Sequence, residues 1–135
     1  MAGRRATDAA MFLTFLQVAL GGALGAMARF GVGLSLARLG EPGFPVAILA
    51  VNVLGSFVMG VFAVLSWERG LAHLAPFVMT GMLGGFTTFS AFSLETFTLI
   101  ERGQIFAALV YVALSVLGSI AALMLAIWIT RGLGT

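Results

Sequence analysis

The sequence predicts an all-helical integral membrane protein with four transmembrane helices, on three observations. Of 135 residues, 61% are hydrophobic and only 9% are charged, whereas a soluble domain carries about 25% charge to cover its wet surface. Charges divide the chain into uncharged stretches at 9–28, 42–67, 70–94 and 103–130, of 20, 26, 25 and 28 residues. Each can cross a hydrocarbon core roughly 30 Å thick. The connections are short and leave no material for a soluble domain, so the expectation is one membrane domain over 1–135 with spans near 10–35, 43–66, 72–100 and 104–130.

The first span begins after Arg4, Arg5 and Asp8 and is expected to run past Arg29 to about Ser35. Arg29 then lies near one end, where its aliphatic stem can snorkel and its guanidinium can reach polar groups. Arg4 and Arg5 before an apolar run, with Ala26-Met27-Ala28 after it, imitate a cleaved leader. The run exceeds the usual 7–15 residues and hydrophobicity resumes beyond Arg29, so the span is expected to be retained. Arg38-Leu39-Gly40-Glu41-Pro42-Gly43 links the first two spans, Trp67-Glu68-Arg69-Gly70 the next two, and Glu101-Arg102-Gly103 the last two.

Four spans put both termini on one side, with Arg4, Arg5, Arg69 and Arg131. The other side holds Arg38, Arg102 and the Arg29 end of the first helix. Arginine in short loops fixes orientation, and here it is nearly balanced. Two readings stay open on charge alone: a weak preference for cytoplasmic termini, or insertion in both orientations.

Eighteen glycines are about twice the usual share. Gly21/Gly25, Gly81/Gly85, Ser56/Gly60 and Ser115/Ser119 have the spacing that lets helix backbones approach in lipid; for most, tight packing is sufficient reason. Polar residues inside spans say more, because they are costly in hydrocarbon. Asn52 lies in the second span. Thr80, Thr87, Thr88, Ser90 and Ser93 lie in the third. Tyr111, Ser115 and Ser119 recur every four residues in the fourth, hence on one helix face.

Within the third span, Gly84-Gly85-Phe86-Thr87-Thr88-Phe89-Ser90-Ala91-Phe92-Ser93 predicts a helix broken at mid-membrane. Irregular backbone at that depth survives only inside protein or along a wet cavity, and freed carbonyls there can coordinate a cation. Phe89 and Phe92 share a face. Such pairs usually just pack, but an aromatic edge is electropositive and can face an anion.

These residues resemble the Fluc (CrcB-type) fluoride channels. Three blocks carry the likeness: Gly21-Gly22-Ala23-Leu24-Gly25-Ala26-Met27-Ala28-Arg29-Phe30, Val51-Asn52-Val53-Leu54-Gly55-Ser56-Phe57-Val58-Met59-Gly60, and Thr80 through Ser93. The resemblance implies an antiparallel, dual-topology homodimer in which inverted copies pair, with two fluoride pathways. It implies a structural Na+ at the dimer centre, held by the backbone carbonyls of Gly84 and Thr87. It places Asn52, Phe89, Phe92, Ser90, Thr88, Tyr111, Ser115 and Ser119 along the fluoride pathway, and the charges of Arg29 and Glu95 nearer the pore ends. Two departures each remove a hydroxyl: Ala91 stands where the family usually has Ser or Thr, and Ile48 where Thr commonly precedes the Val-Asn pair.

The expected function is a passive channel that lowers cytoplasmic fluoride from a multi-pass position in the cell's inner (plasma) membrane, with lipid and an inverted copy as its partners. The rival reading is a proton-coupled exporter of the small multidrug resistance type. That mechanism wants an acid in the first span, where only Gln17 and Arg29 stand. No Ser–His–Asp set, metal-ligand spacing or phosphate loop is present, so the chain does not read as an enzyme. The scattered net charge of +2 forms no nucleic-acid stripe, and the absence of Cys removes disulfides and thiolate sites.

Overall fold

In a computed structural model that describes residues 2–36 and 43–133, the chain is helical almost throughout. The connection expected at 38–42, with Arg38, lies outside the described residues, as do the side chains of Arg4 and Arg5. Helix α1 runs Ala2–Leu36 and α2 runs Val46–Glu68. A single 3₁₀ turn, Leu71–Leu74, leads into a π-helical segment, Pro76–Leu83, which passes directly into α3, Gly84–Phe86. Helices α4, Phe89–Glu101, and α5, Ile105–Gly132, complete the fold.

Four stretches are long and apolar enough to cross a membrane: Thr7–Leu36, Val46–Glu68, Leu71–Glu101 and Ile105–Gly132. Apolar side chains such as Phe12, Phe30, Phe106, Leu117 and Trp128 stand mostly exposed around the bundle. Water would penalise that surface and lipid does not. The protein is a multi-pass membrane protein.

Glycines stop two of the helices. Gly70 (φ 68°) follows α2 and Gly103 (φ 73°) follows α4; left-handed backbone costs glycine nothing and ends a helix cleanly. Helix α1 reaches farther than its neighbours. Its 35 residues span about 52 Å at 1.5 Å per residue, and residues 7–16 are exposed on every face.

The packing is organised around α2 and α5, which run parallel. Along that seam Phe44 meets Tyr111, Val53 meets Gly118, Gly60 meets Leu123 and Ala126, and Trp67 meets Arg131. The third stretch divides between two neighbours: the π-helical segment and α3 lie on α1, whereas α4 lies on α5. On the α1 side, the two glycine pairs read from the sequence face each other. A Cβ on Gly21 would strike Phe77 O and lie 2.9 Å from Met82 N, and one on Gly85 would lie 2.5 Å from Gly22 O. On the α5 side, Phe92, Leu99, Ala108 and Tyr111 form a buried core against which Phe44, Ile48 and Leu49 pack.

The π-helical turn has no forewarning in hydrophobic spacing. A π-helix shifts the register by one residue relative to an α-helix. The carboxylates also differ from expectation in one respect: Asp8 and Glu68 fall within α1 and α2, at their outer ends. No carboxylate lies between residues 9 and 36.

Candidate functional site

The site forms where the third stretch changes neighbours. Helix α3 ends at Phe86; Thr87 (φ −78°, ψ 157°) and Thr88 (φ −154°, ψ 121°) are extended, and α4 starts at Phe89. An interruption of two residues strands backbone groups that a continuous helix would pair. Their fates can be followed individually.

Thr88 N–H, the α-helical partner of Gly84 O, donates instead to Asn52 Oδ1 at 2.8 Å. Asn52 Nδ2 donates in return to Thr88 O at 3.1 Å. Ala91 N–H, the α-helical partner of Thr87 O, donates instead to Thr88 Oγ1 at 3.1 Å, making Thr88 the N-cap of α4. Thr88 Oγ1 also shares a hydrogen bond of 3.2 Å with Ser90 Oγ. Thr87 keeps its hydroxyl on its own helix, donating to Leu83 O at 2.9 Å. The carbonyls of Gly84 and Thr87 have therefore both lost their usual donors.

Those two oxygens fit a hard monovalent cation. Carbonyl oxygen is its preferred ligand, and among the described residues no three His, Asp or Glu side chains come together to hold a divalent ion. Gly84 is open as well: a Cβ there would meet nothing nearer than Met79 O at 3.6 Å. Gly55 on α2 is the opposite case, since a Cβ would collide with Thr87 Cγ2. The absence of a side chain at Gly55 is what lets Thr87 sit against α2.

Beside the interruption lies a groove of about 430 Å³. Asn52, Thr88, Phe89, Phe92, Ser115 and Ser119 all line it, together with Thr87. Among the described residues, Ser119 Oγ is buried without a hydrogen-bond partner, and Ser115 Oγ and Tyr111 Oη are buried with only each other within reach. An unpaired buried hydroxyl costs about 1–3 kcal/mol, so a row of three under-satisfied hydroxyls on one helix face suits a polar guest. An aromatic row extends the wall. Phe89 and Phe92 have ring centroids 5.2 Å apart, Phe92 and Tyr111 5.4 Å, and Tyr111 takes Phe44 edge-on at 5.8 Å. Phe92 is 7% exposed and Phe89 76%, so one ring is fixed in the core while the other stands at the open side.

Not every expected residue joins this groove. Ser90 is exposed and reaches it only through Thr88. Tyr111 stands behind Phe92, fully buried, with Glu95 within electrostatic reach of its phenol. Arg29 lines a separate cavity of about 390 Å³ between α1 and α2, with Phe30 and Ile48. Ile48 also packs on the Phe92–Tyr111 core, which gives its aliphatic chain a place that a hydroxyl would fill less well. Sequence reasoning missed Phe44, Met59 and Leu123. Phe44 precedes a proline outside the helices, and the other two carry no polar mark, so position alone reveals them.

The chain is similar to known proteins over most of its length. Residues 16–127 match the family described as CrcB-like protein, Camphor Resistance (CrcB). The chain is 57% identical to the fluoride-specific ion channel FluC of Ruegeria sp. (strain TM1040) over 126 residues, which is 93% of this chain and 100% of that one. It is 59% identical over 121 residues to the protein of that name from Roseobacter denitrificans, covering 88% of this chain and 96% of the relative. With that of Paracoccus denitrificans it shares 58% over 120 residues, covering 89% and 96%.

Proposed function

We infer that this chain, which belongs to the CrcB-like family, is a fluoride-selective passive ion channel. Membership rests on the match over residues 16–127 and on relatives aligned along nearly their whole length. The channel reading prevails over the proton-coupled exporter, and the chain is not an enzyme.

The observation that carries the reading at residue level is the row of buried hydroxyls beside a polar groove. Fluoride is small and strongly hydrated, so a pore must replace water with donors. Ser115 and Ser119 offer buried hydroxyls on the groove wall, and Tyr111, within reach of Ser115, offers a third behind Phe92. Asn52 spends one Nδ2 hydrogen on Thr88 O and has a second available, since a carboxamide carries two. Phe89 and Phe92 present electropositive ring edges, which repel a cation and accommodate an anion. Arg29 supplies positive charge away from the groove, nearer one end of the span, and Glu95 bears on Tyr111 from α4.

The direction of flow follows from charge. HF is neutral, crosses lipid and ionises in near-neutral cytoplasm, which traps the anion. An inside-negative potential then drives fluoride outward with about 2.3 kcal/mol per 100 mV. A passive pore in the cell's inner membrane is then enough.

Two finer features belong to the same proposal. The extended pair Thr87–Thr88 lies at mid-membrane depth, and two copies pair in inverted orientation so that their Gly84 and Thr87 carbonyls meet at the centre. The open flank of Gly84 and the near balance of arginines between the two ends support this arrangement. A sodium ion held by those four carbonyls would supply fixed positive charge near the anion paths.

The deciding experiment is efflux from liposomes containing the purified protein. Fluoride should leave rapidly when a potassium ionophore balances charge, and chloride should not. Efflux that needs a proton gradient, or that treats chloride and fluoride alike, refutes the reading.

A further inference from the structure

We propose that Asn52 is a positioning residue for the cation-holding carbonyls, in addition to any donor role it has toward the anion. Its carboxamide makes two hydrogen bonds to one residue, accepting from Thr88 N–H at 2.8 Å and donating to Thr88 O at 3.1 Å. A carboxamide has the donor and acceptor pattern of a peptide group. Reciprocal bonding to an extended residue therefore copies the hydrogen-bonded pair of an antiparallel β-ladder. Asn52 gives Thr88 the partner that a neighbouring strand would give, and a helical bundle has none.

The consequence lies one turn back. Thr88 N–H is the group that would close onto Gly84 O if the helix continued, and Asn52 withholds it. With Thr88 held extended, its hydroxyl sits where it caps Ala91 N–H, which withholds the donor of Thr87 O. Both oxygens assigned to sodium are thus kept free by one side chain on another helix, directly or through Thr88. The nearest polar substitutes fit the position less well. Asp lacks the donor, Gln is one methylene too long, and Ser offers one polar atom instead of two. Gly55, one turn along α2, completes the arrangement by leaving room for the Thr87 methyl. The remaining Nδ2 hydrogen borders the groove, so a single amide joins the anion path to the cation site.

The inference rests on the reading of Gly84 and Thr87 as sodium ligands, and its test separates the two. The thermal unfolding midpoint of the purified protein is measured while Na+ replaces choline at constant ionic strength. For the wild-type protein the midpoint should climb with Na+ and saturate; a flat response overturns the sodium reading itself. In Asn52→Ala the half-maximal Na+ concentration should rise by tenfold or more, or the response should vanish. An unchanged Na+ response in that variant overturns the positioning role and leaves Asn52 as an anion ligand only. If Asn52→Ala gives no folded protein, hydrogen exchange of the wild-type Thr88 amide decides. It should be as protected as amides in the middle of α4, and free exchange overturns the proposal.

Discussion

Substituting alanine for Gly25 should destabilise the protein although alanine is the better helix former. A Cβ at this position would collide with Met82 O and lie 2.8 Å from Phe86 N. Both are main-chain atoms held in a helix, so no rotamer change relieves the clash. To restore even a tight 3.4 Å contact with Phe86 N, α1 and α3 must separate by about 0.6 Å, and the collision with Met82 O requires more. Overpacking of this kind costs about 1–3 kcal/mol, against a helix-propensity gain of about 1 kcal/mol. The net is a loss of up to about 2 kcal/mol, which should lower the unfolding midpoint by up to several degrees. Gly31 lies on the same helix with nothing within 4 Å of an added Cβ, so Gly31→Ala should be neutral or raise the midpoint slightly. The assay is a thermal scan of both variants in the same detergent, with fluoride efflux measured alongside. Because Phe86 immediately precedes Thr87, Gly25→Ala should also reduce flux, whereas Gly31→Ala should not. Equal midpoints for the two variants would show that the α1 contact is not the tight seam described.

Three further outcomes are expected. Tyr111→Phe removes a buried hydroxyl that, among the described residues, has only Ser115 within reach, so the unfolding midpoint should change little. If that hydroxyl bears on the anion, flux should drop roughly 10- to 100-fold, the worth of a hydrogen bond to a charged group. Replacing Ser115 and Ser119 together by Ala tests the groove in the same way; unchanged efflux would remove both from the path. Tagging one terminus and probing intact cells should label roughly half of the molecules from each side, if insertion is as even as the arginines are; a uniform topology in an active protein would rule out inverted pairing.

The gross architecture was legible because lipid imposes strong demands on sequence. Four apolar helices follow from where the charges fall, and Gly70 and Gly103 mark two helix ends by the left-handed backbone they adopt. The glycine pairs were legible as a spacing but not as a pairing. That Gly21 meets Gly81, Gly25 meets Met82 and Phe86, and Gly85 meets Gly22, whereas Gly60 meets α5, depends on which helices lie side by side. Most of the groove was legible too, because Asn52, Thr88, Ser115 and Ser119 are too polar to stand in a span without cause. Two things were hidden. Asn52 announces itself as polar, but its reciprocal bonding to Thr88 needs the register between α2 and α4. The π-helical stretch Pro76–Leu83 is uniformly apolar but for Thr80, so a shift of one residue leaves no trace in its hydrophobic pattern.

The location of the interruption follows from two packing demands that one straight helix does not meet. Before it, the third stretch must lie close enough to α1 for main chain to touch main chain, as the contacts of Gly21, Gly25, Gly81 and Gly85 require. After it, Phe92 and Leu99 must bury themselves with Tyr111 and Ala108 of α5. The first part has no contact with α5, and α4 has none with α1. Two extended residues allow the change of neighbour, since each advances the chain about 3.3 Å instead of 1.5 Å and releases the helical register. Asn52 then satisfies the backbone that the change exposes at Thr88. The carbonyls of Gly84 and Thr87 are left over from this solution, because the donors they would have in a continuous helix, Thr88 N–H and Ala91 N–H, go to side chains instead. The proposed cation site would therefore depend on the α1 seam, the α5 core and one carboxamide, so a disturbance of any of the three should reach it.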